Sequence, residues 1–210
     1  MSASVPTREV ARRAFAAEFN DATYTFKESD DDRAPVYSLL PTGQRANRVF
    51  VAGTLTETED VGDDSEYWRG RIVDPTGTFF TYAGQYQPEA TAVLRETETP
   101  AYVTVVGKPR TYETDEGDVN VSLRPESISV VEDATRNRWV VEAAERTLDR
   151  IEAFGGGASE TSPEGDATPD KYATMAETQY GSELSKYRDA AISALEDIAD
   201  DADAEVTAEA

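Results

Sequence analysis

The sequence predicts a mainly β protein. Its centre is a small closed barrel of five strands in Greek-key order, preceded by one helix and followed by others. Three observations carry this. Between residues 46 and 132, apolar side chains alternate with period two through successive runs. The segment Asp74-Pro75-Thr76-Gly77 carries the residues a tight turn demands, and it joins the second run to the third. A short helical stretch separates the third run from the fourth, and after residue 133 the periodicity becomes that of helices.

Residues 1–45 read as an N-terminal helix and arm. Pro6 and Thr7 suit a helix start, and over 6–19 Val10, Ala11, Ala14, Phe15 and Phe19 share one face. Asn20-Asp21 ends it, Tyr24 to Lys27 fits a short strand, and 28–34 is a charged loop. The barrel domain spans 46–132. Val49, Val51, Gly53 and Leu55 alternate with Phe50, Ala52 and Thr54 in a first strand, and the acidic block 57–66 is expected as a loop. Tyr67 to Val73 is a second strand and Thr78 to Gln85 a third, joined as a hairpin. Pro88 opens a helix over 88–96, at a position where a missing N–H costs little. Tyr102 to Tyr112 is a fourth strand. After a tight turn at 115–118, a fifth runs from Val119 to Val131, bent or bulged near Pro125. Three strands, a helix and two strands is the layout of the OB-fold barrel.

Residues 133–154 read as a C-terminal partner helix, with Val140, Ala143, Thr147, Ile151 and Phe154 in a stripe that Trp139, Ala144 and Leu148 widen. Gly155 to Gly157 stops it. Residues 155–170 have the composition of a flexible linker. Residues 171–199 form an acidic amphipathic helix, with Tyr180, Leu184, Tyr187, Ala191, Leu195 and Ile198 at helical intervals, and 200–210 is expected to be a disordered acidic tail.

Charge narrows the chemistry. The 210-residue chain carries 20 basic and 42 acidic side chains, a formal net charge of −22, with Arg strongly favoured over Lys. Its 2 Trp, 10 Tyr and 7 Phe argue for a packed core rather than disorder. A dense acidic surface with few large aliphatic residues suits a very salty cytoplasm. With no Cys and no His, disulfides, Cys/His zinc sites, thiol nucleophiles and Ser-His-Asp catalysis are excluded. No apolar run approaches the ~20 residues of a membrane span, and no signal core opens the chain, so a soluble, cytoplasmic protein without membrane partners is expected. The acids are also uneven. Residues 75–88 carry no charge, and 99–112 hold Lys108 and Arg110 without an acid.

Three segments, Arg48 to Leu55, Tyr67 to Gly77 and Phe79 to Tyr86, resemble the archaeal replication protein A family. The resemblance is greatest to haloarchaeal proteins associated with replication protein A, single-OB subunits similar to the middle subunit of the trimeric complex. It covers about residues 5–154. It implies an accessory subunit that binds single-stranded DNA in replication, repair and recombination. It also implies a hetero-oligomer with a large replication protein A subunit, and no cofactor. The Cys-rich zinc module of large archaeal subunits is absent, because the chain has no Cys.

The residues themselves give a concrete site. If Gly70 and Ile72 face the barrel interior, Arg69 and Arg71 face outward; on the next strand Phe80, Tyr82 and Gly84 then stand beside them. Two guanidinium groups would take phosphates or bases, two rings would stack on bases, and Gly84 would let a backbone approach closely. Lys108, Arg110, Tyr112 and Arg124 would extend the path. Trp68, on the inward parity, is expected in the core. Each feature has a plainer reading: Phe80 and Tyr82 could pack beneath the N-terminal helix, and the arginines could pair with the acids of 57–66. For the 134–154 helix, Trp139, Val140, Ala143, Thr147, Ile151 and Phe154 would dock on the large subunit, the alternative being packing on the chain's own barrel. A pure protein adaptor that stabilises the large subunit without touching DNA fits the same sequence. Catalysis is not expected. Asp74-Pro75-Thr76-Gly77-Thr78 is similar to a phosphorylation motif of ion pumps, but Pro stands where that motif has Lys. No glycine-rich phosphate loop occurs, and no metal site is assigned.

Overall fold

The computed structural model describes residues 9–154 and 169–208. In chain order its elements are β1 (Arg12–Arg13), α1 (Ala16–Asp21), β2 (Thr25–Lys27), β3 (Val36–Leu40), β4 (Gln44–Ala46), β5 (Val49–Asp60), β6 (Trp68–Asp74), β7 (Gly77–Ala83), α2 (Pro88–Glu96), β8 (Ala101–Glu113), β9 (Val119–Val130), α3 (Asp133–Phe154), α4 (Pro169–Tyr180) and α5 (Ser185–Ala208).

The long strand β5 closes the barrel. Its first half pairs with β8, Val49 opposite Gly107 through Leu55 opposite Ala101, and its second half pairs with β6. A bulge at Thr56 marks the change of partner. The order around the barrel is β5-β6-β7-β9-β8 and back to β5, with β7 and β9 meeting in parallel at Thr81 and Leu123. Thr81 Oγ1 donates to Leu123 O at 3.0 Å across that seam. This is an OB-fold.

Alternation puts Val49, Val51, Leu55, Ile72, Phe79, Val103, Val105 and Leu123 inside, nearly all without exposed surface. Leu94 of α2 plugs one end. A Cβ on Gly70 would lie 2.7 Å from Leu94 Cδ2, so this glycine makes room for the plug. Trp68 packs on the core as expected. Near Pro125, β9 bulges at Glu126, which drops out of the β8 ladder and accepts from Arg48 Nε at 2.6 Å.

The Asp74 turn does more than reverse the chain. Asp74 Oδ1 accepts from the backbone N–H of Thr76 and of Gly77, while Oδ2 accepts from Ala16 N at 2.8 Å and so caps α1 from a distant loop. Burial pushes its carboxyl above the ordinary range, against those hydrogen bonds. Asp74→Ala would orphan the buried donors and is expected to cost about 1–3 kcal/mol, read as a lower denaturant midpoint.

The structure corrects several expectations. No helix runs to residue 19 from near the start of the described chain. Arg12–Arg13 are extended and pair in parallel with β5, and only 16–21 are helical; residues 6–8 lie outside the described residues. Ala14, Phe15 and Phe19 are buried all the same, through this mixed geometry. A second sheet, β2-β3-β4, occupies the arm and turns at Gly43, whose φ of 84° favours glycine. Glu57, Glu59 and Asp60 extend β5 instead of lying in a loop. The helix expected over 171–199 is two, α4 and α5, broken at Gly181 with φ 83°. The tail expected to be disordered from 200 is helical through Ala208; residues 209–210 and most of the expected linker, 155–168, lie outside the described residues.

The expected docking stripe on α3 is also corrected. Val140, Ala143 and Ala144 form a buried cluster with Phe15 and with Ala191 and Ala194 of α5. Thr147 and Ile151 are buried as well. Phe154 packs with Leu39, Tyr172 and Ala176, and Trp139 lies on Phe50 with ring centroids 4.7 Å apart, under the Arg13 guanidinium. The chain's own α5, α4 and N-terminal segment therefore cover the stripe. A buried ion pair fixes the arrangement. Arg150 Nη2 donates to Glu18 Oε2 at 2.5 Å, Nε to Thr42 Oγ1 at 2.8 Å and Nη1 to Arg13 O at 3.0 Å. Thr42 Oγ1 donates to the other oxygen of Glu18.

Candidate nucleic-acid interface

The turn at 74–77 sets the register of β6 against β7, and the register sets the site. Inward pairs are Ile72 with Phe79, Gly70 with Thr81 and Trp68 with Ala83. The outward pairs between them are Arg71 with Phe80 and Arg69 with Tyr82. Each arginine is thus the cross-strand partner of an aromatic residue. The Arg69 guanidinium reaches diagonally to 6.0 Å from the Phe80 ring centre. Phe80 and Tyr82 are half-buried. The ring that meets the N-terminal helix is the inward Phe79, 5.3 Å from Phe19, not Phe80.

On the far side of the β7–β9 seam, Lys108 stands opposite Arg124, Arg110 opposite Ser122 and Tyr112 opposite Asn120. Burial, and after it the neighbouring cations, lower two of these groups. Burial and then Arg48 lower the Lys108 ammonium, with Arg124 and Arg110 adding to this and Glu126 opposing it. Burial and then Arg124 lower Arg110. Among the described residues no carboxylate lies within 4.0 Å of Arg71, Lys108, Arg110 or Arg124. In a chain with twice as many acids as bases, these cations gather on one face of the β8–β9 hairpin. The two halves meet where β7 pairs with β9 at Thr81 and Leu123. The Tyr82 phenol is raised by burial and then by Tyr112, with Arg69 opposing and Tyr67 adding to the rise. All eight expected residues, Arg69, Arg71, Phe80, Tyr82, Lys108, Arg110, Tyr112 and Arg124, lie on the outward sides of these neighbouring strands.

Two features change the site as read from the sequence. The plainer reading holds for Arg69: Glu57 and Glu59, in a strand and not the expected loop, share this face at its β5 edge, in register with Arg71 and Arg69. Arg69 Nη2 donates to Glu59 Oε2 at 2.6 Å and lies 3.9 Å from Glu57. The alternating Thr-Glu-Thr-Glu of 56–59 was the available signal for a strand. Arg71 is held otherwise: its Nη1 donates to Thr56 Oγ1, the bulged residue, at 3.2 Å. The second feature is Tyr67, which stacks on Tyr82 with centroids 5.9 Å apart and planes 21° from parallel. It fills the space over Gly84 that was expected to admit a ligand. Since Glu59 competes for Arg69, Glu59→Gln is expected to tighten binding of any polyanion here. The gain at 0.5 M KCl is about 1.5- to 5-fold, the worth of one exposed pair, measured by titration.

No protein-family model matches the chain. No curated protein matches it. Solved structures that align with it include the mitochondrial single-stranded DNA-binding protein Rim1 of S. cerevisiae, at 18% identity over 41% of this chain and 94% of that one, with a TM-score of 0.33. The second single-stranded DNA-binding protein of Mycobacterium smegmatis aligns at 18% identity over 43% and 89%, TM-score 0.36. An OBody bound to hen egg-white lysozyme aligns at 18% identity over 40% and 81%, TM-score 0.35.

Proposed function

We propose that the outward face of β6, β7, β9 and β8 binds single-stranded DNA. One observation carries this: two cross-strand arginine–aromatic pairs on β6 and β7 adjoin a cluster of cations on β8 and β9 that has, among the described residues, no carboxylate within 4.0 Å. Unpaired bases expose π faces that Phe80 and Tyr82 can stack on, at about 1–3 kcal/mol per base. Arg71, Lys108, Arg110 and Arg124 supply short-range contacts to phosphates. A duplex hides its base faces, so the rings discriminate against it.

The net charge of −22 opposes a polyanion at low salt. At 1 M salt the screening length is about 3 Å, and that repulsion fades. Counterion release also contributes less once bulk salt is high, which leaves stacking as the main source of affinity. The composition suits such a medium. The test is a titration of fluorescent oligo-thymidine, and of a duplex of equal length, from 0.5 to 3 M KCl. Saturable binding of the single strand with a shallow salt slope supports the reading; a steep loss with salt, or equal affinity for the duplex, refutes it.

The finer reading is an accessory subunit of a replication protein A complex, serving replication, repair and recombination in a haloarchaeal cytoplasm. It is supported by the sequence resemblance over 5–154. Because α5 covers the α3 stripe, a large subunit would bind elsewhere or displace α5. Co-purification from a high-salt haloarchaeal lysate tests the assembly. Capture of a large subunit by a chain that binds no oligonucleotide alone would favour the adaptor reading.

A further inference from the structure

Tyr67 lies outside every role assigned so far, and its surroundings are built rather than incidental. It sits at the mouth of the β5–β6 loop, one residue before β6. Its backbone is fixed on both sides: Asp60 Oδ1 accepts from Tyr67 N at 3.1 Å, and Tyr67 O accepts from Val61 N at 2.9 Å. Its ring is seated over Gly84, where any Cβ would come within 2.8 Å of Tyr67 Cδ2. It stacks on Tyr82, yet 44% of the residue remains exposed. An aromatic side chain that rests on another ring and is partly open to solvent leaves surface on which a further flat ring can stack. Beyond it, Glu66, Gly84, Gln85, Pro88, Thr91 and Arg95 line a cleft of about 310 Å³.

We propose that Tyr67 is the terminal base-stacking platform, carrying the strand one nucleotide past the end of the sheet toward this cleft. The inference rests on the single-stranded DNA reading and deepens it. It adds Tyr67, stacked on Tyr82, to the two outward rings, and it accounts for Gly84: with no Cβ there, the strand leaves room for the Tyr67 ring.

The test is a length series of fluorescent oligo-thymidines titrated at 0.5 M KCl with the parent chain, Tyr67→Ala, Tyr67→Phe and Gly84→Ala. Tyr67→Phe keeps the ring and is expected to bind like the parent. Tyr67→Ala is expected to reach its affinity plateau about one nucleotide earlier and to bind long oligomers on the order of 5- to 150-fold more weakly. Gly84→Ala unseats the ring without removing it and is expected to act in the same direction. Should that variant fail to fold, Tyr67→Ala decides alone, its side chain being exposed and outside the core. Parent-like affinity and length dependence in Tyr67→Ala overturn the inference while leaving the DNA reading intact. A parent chain that binds no oligonucleotide overturns both.

Discussion

Replacing both Phe80 and Tyr82 by alanine is expected to weaken oligo-thymidine binding by roughly 30-fold or more. Each ring supplies a stacking surface worth about 1–3 kcal/mol. The fold is expected to survive. Both side chains face away from the core, opposite Arg71 and Arg69, and a cross-strand pair contributes only about 0.2–1 kcal/mol to a sheet. In a chain of this size that lowers the thermal midpoint by about 2–4 °C per kcal/mol. Anisotropy titration alongside a melting curve separates the effects. A large loss of binding with a small loss of stability is the expected pattern. Parallel losses would mean the rings serve packing alone, as the adaptor reading requires.

Glu18→Ala is expected to be among the most destabilising single substitutions outside the barrel core. The Glu18 carboxylate is 1% exposed and Arg150 is 8% exposed, and they are joined at 2.5 Å. Removing one partner strands the other charge in the interior, at a cost of about 3–5 kcal/mol. Against a typical total of about 5–15 kcal/mol, this approaches global unfolding. Replacing both, as Glu18→Leu with Arg150→Met, removes the stranded charge and is expected to recover most of the loss. Chemical denaturation of the parent, Glu18→Leu, Arg150→Met and the double variant gives the coupling directly. Oligonucleotide binding by the folded double variant is expected to match the parent, since the pair joins α1 to α3, away from the outward faces of β6 and β7.

The strand parity of β6 and β7 was legible because a tight turn of defined chemistry fixes the register, and from there period two leaves no freedom. One wrong step would have buried Arg69 and exposed Phe79. The N-terminal segment was not legible, because Ala14, Phe15 and Phe19 can be buried equally by a helical face or by an extended stretch entering a short helix. Alternation carried β5 past Leu55 in the structure, whereas acidity alone had suggested a loop from residue 57. The α3 stripe announced that something covers it but not what. Ala191 and Ala194 of α5 are small residues whose pattern names no partner. The Glu18–Arg150 pair spans 132 residues and leaves no local trace. In the site, the outward placing of Arg69, Arg71, Phe80 and Tyr82 followed from periodicity, whereas Lys108, Arg110, Tyr112 and Arg124 were reached only through their nearness to the turn between the last two strands. The seating of Tyr67 on Gly84 follows only from three-dimensional proximity between a loop and a strand end.

The most direct test of where the strand lies is amide hydrogen exchange, followed with and without saturating oligo-thymidine in 0.5 M KCl. Slowed exchange confined to residues 67–84 and 108–124, with α3 and α5 unchanged, is the predicted result. Protection over 133–154 or 185–200 with the barrel strands unaffected would contradict it.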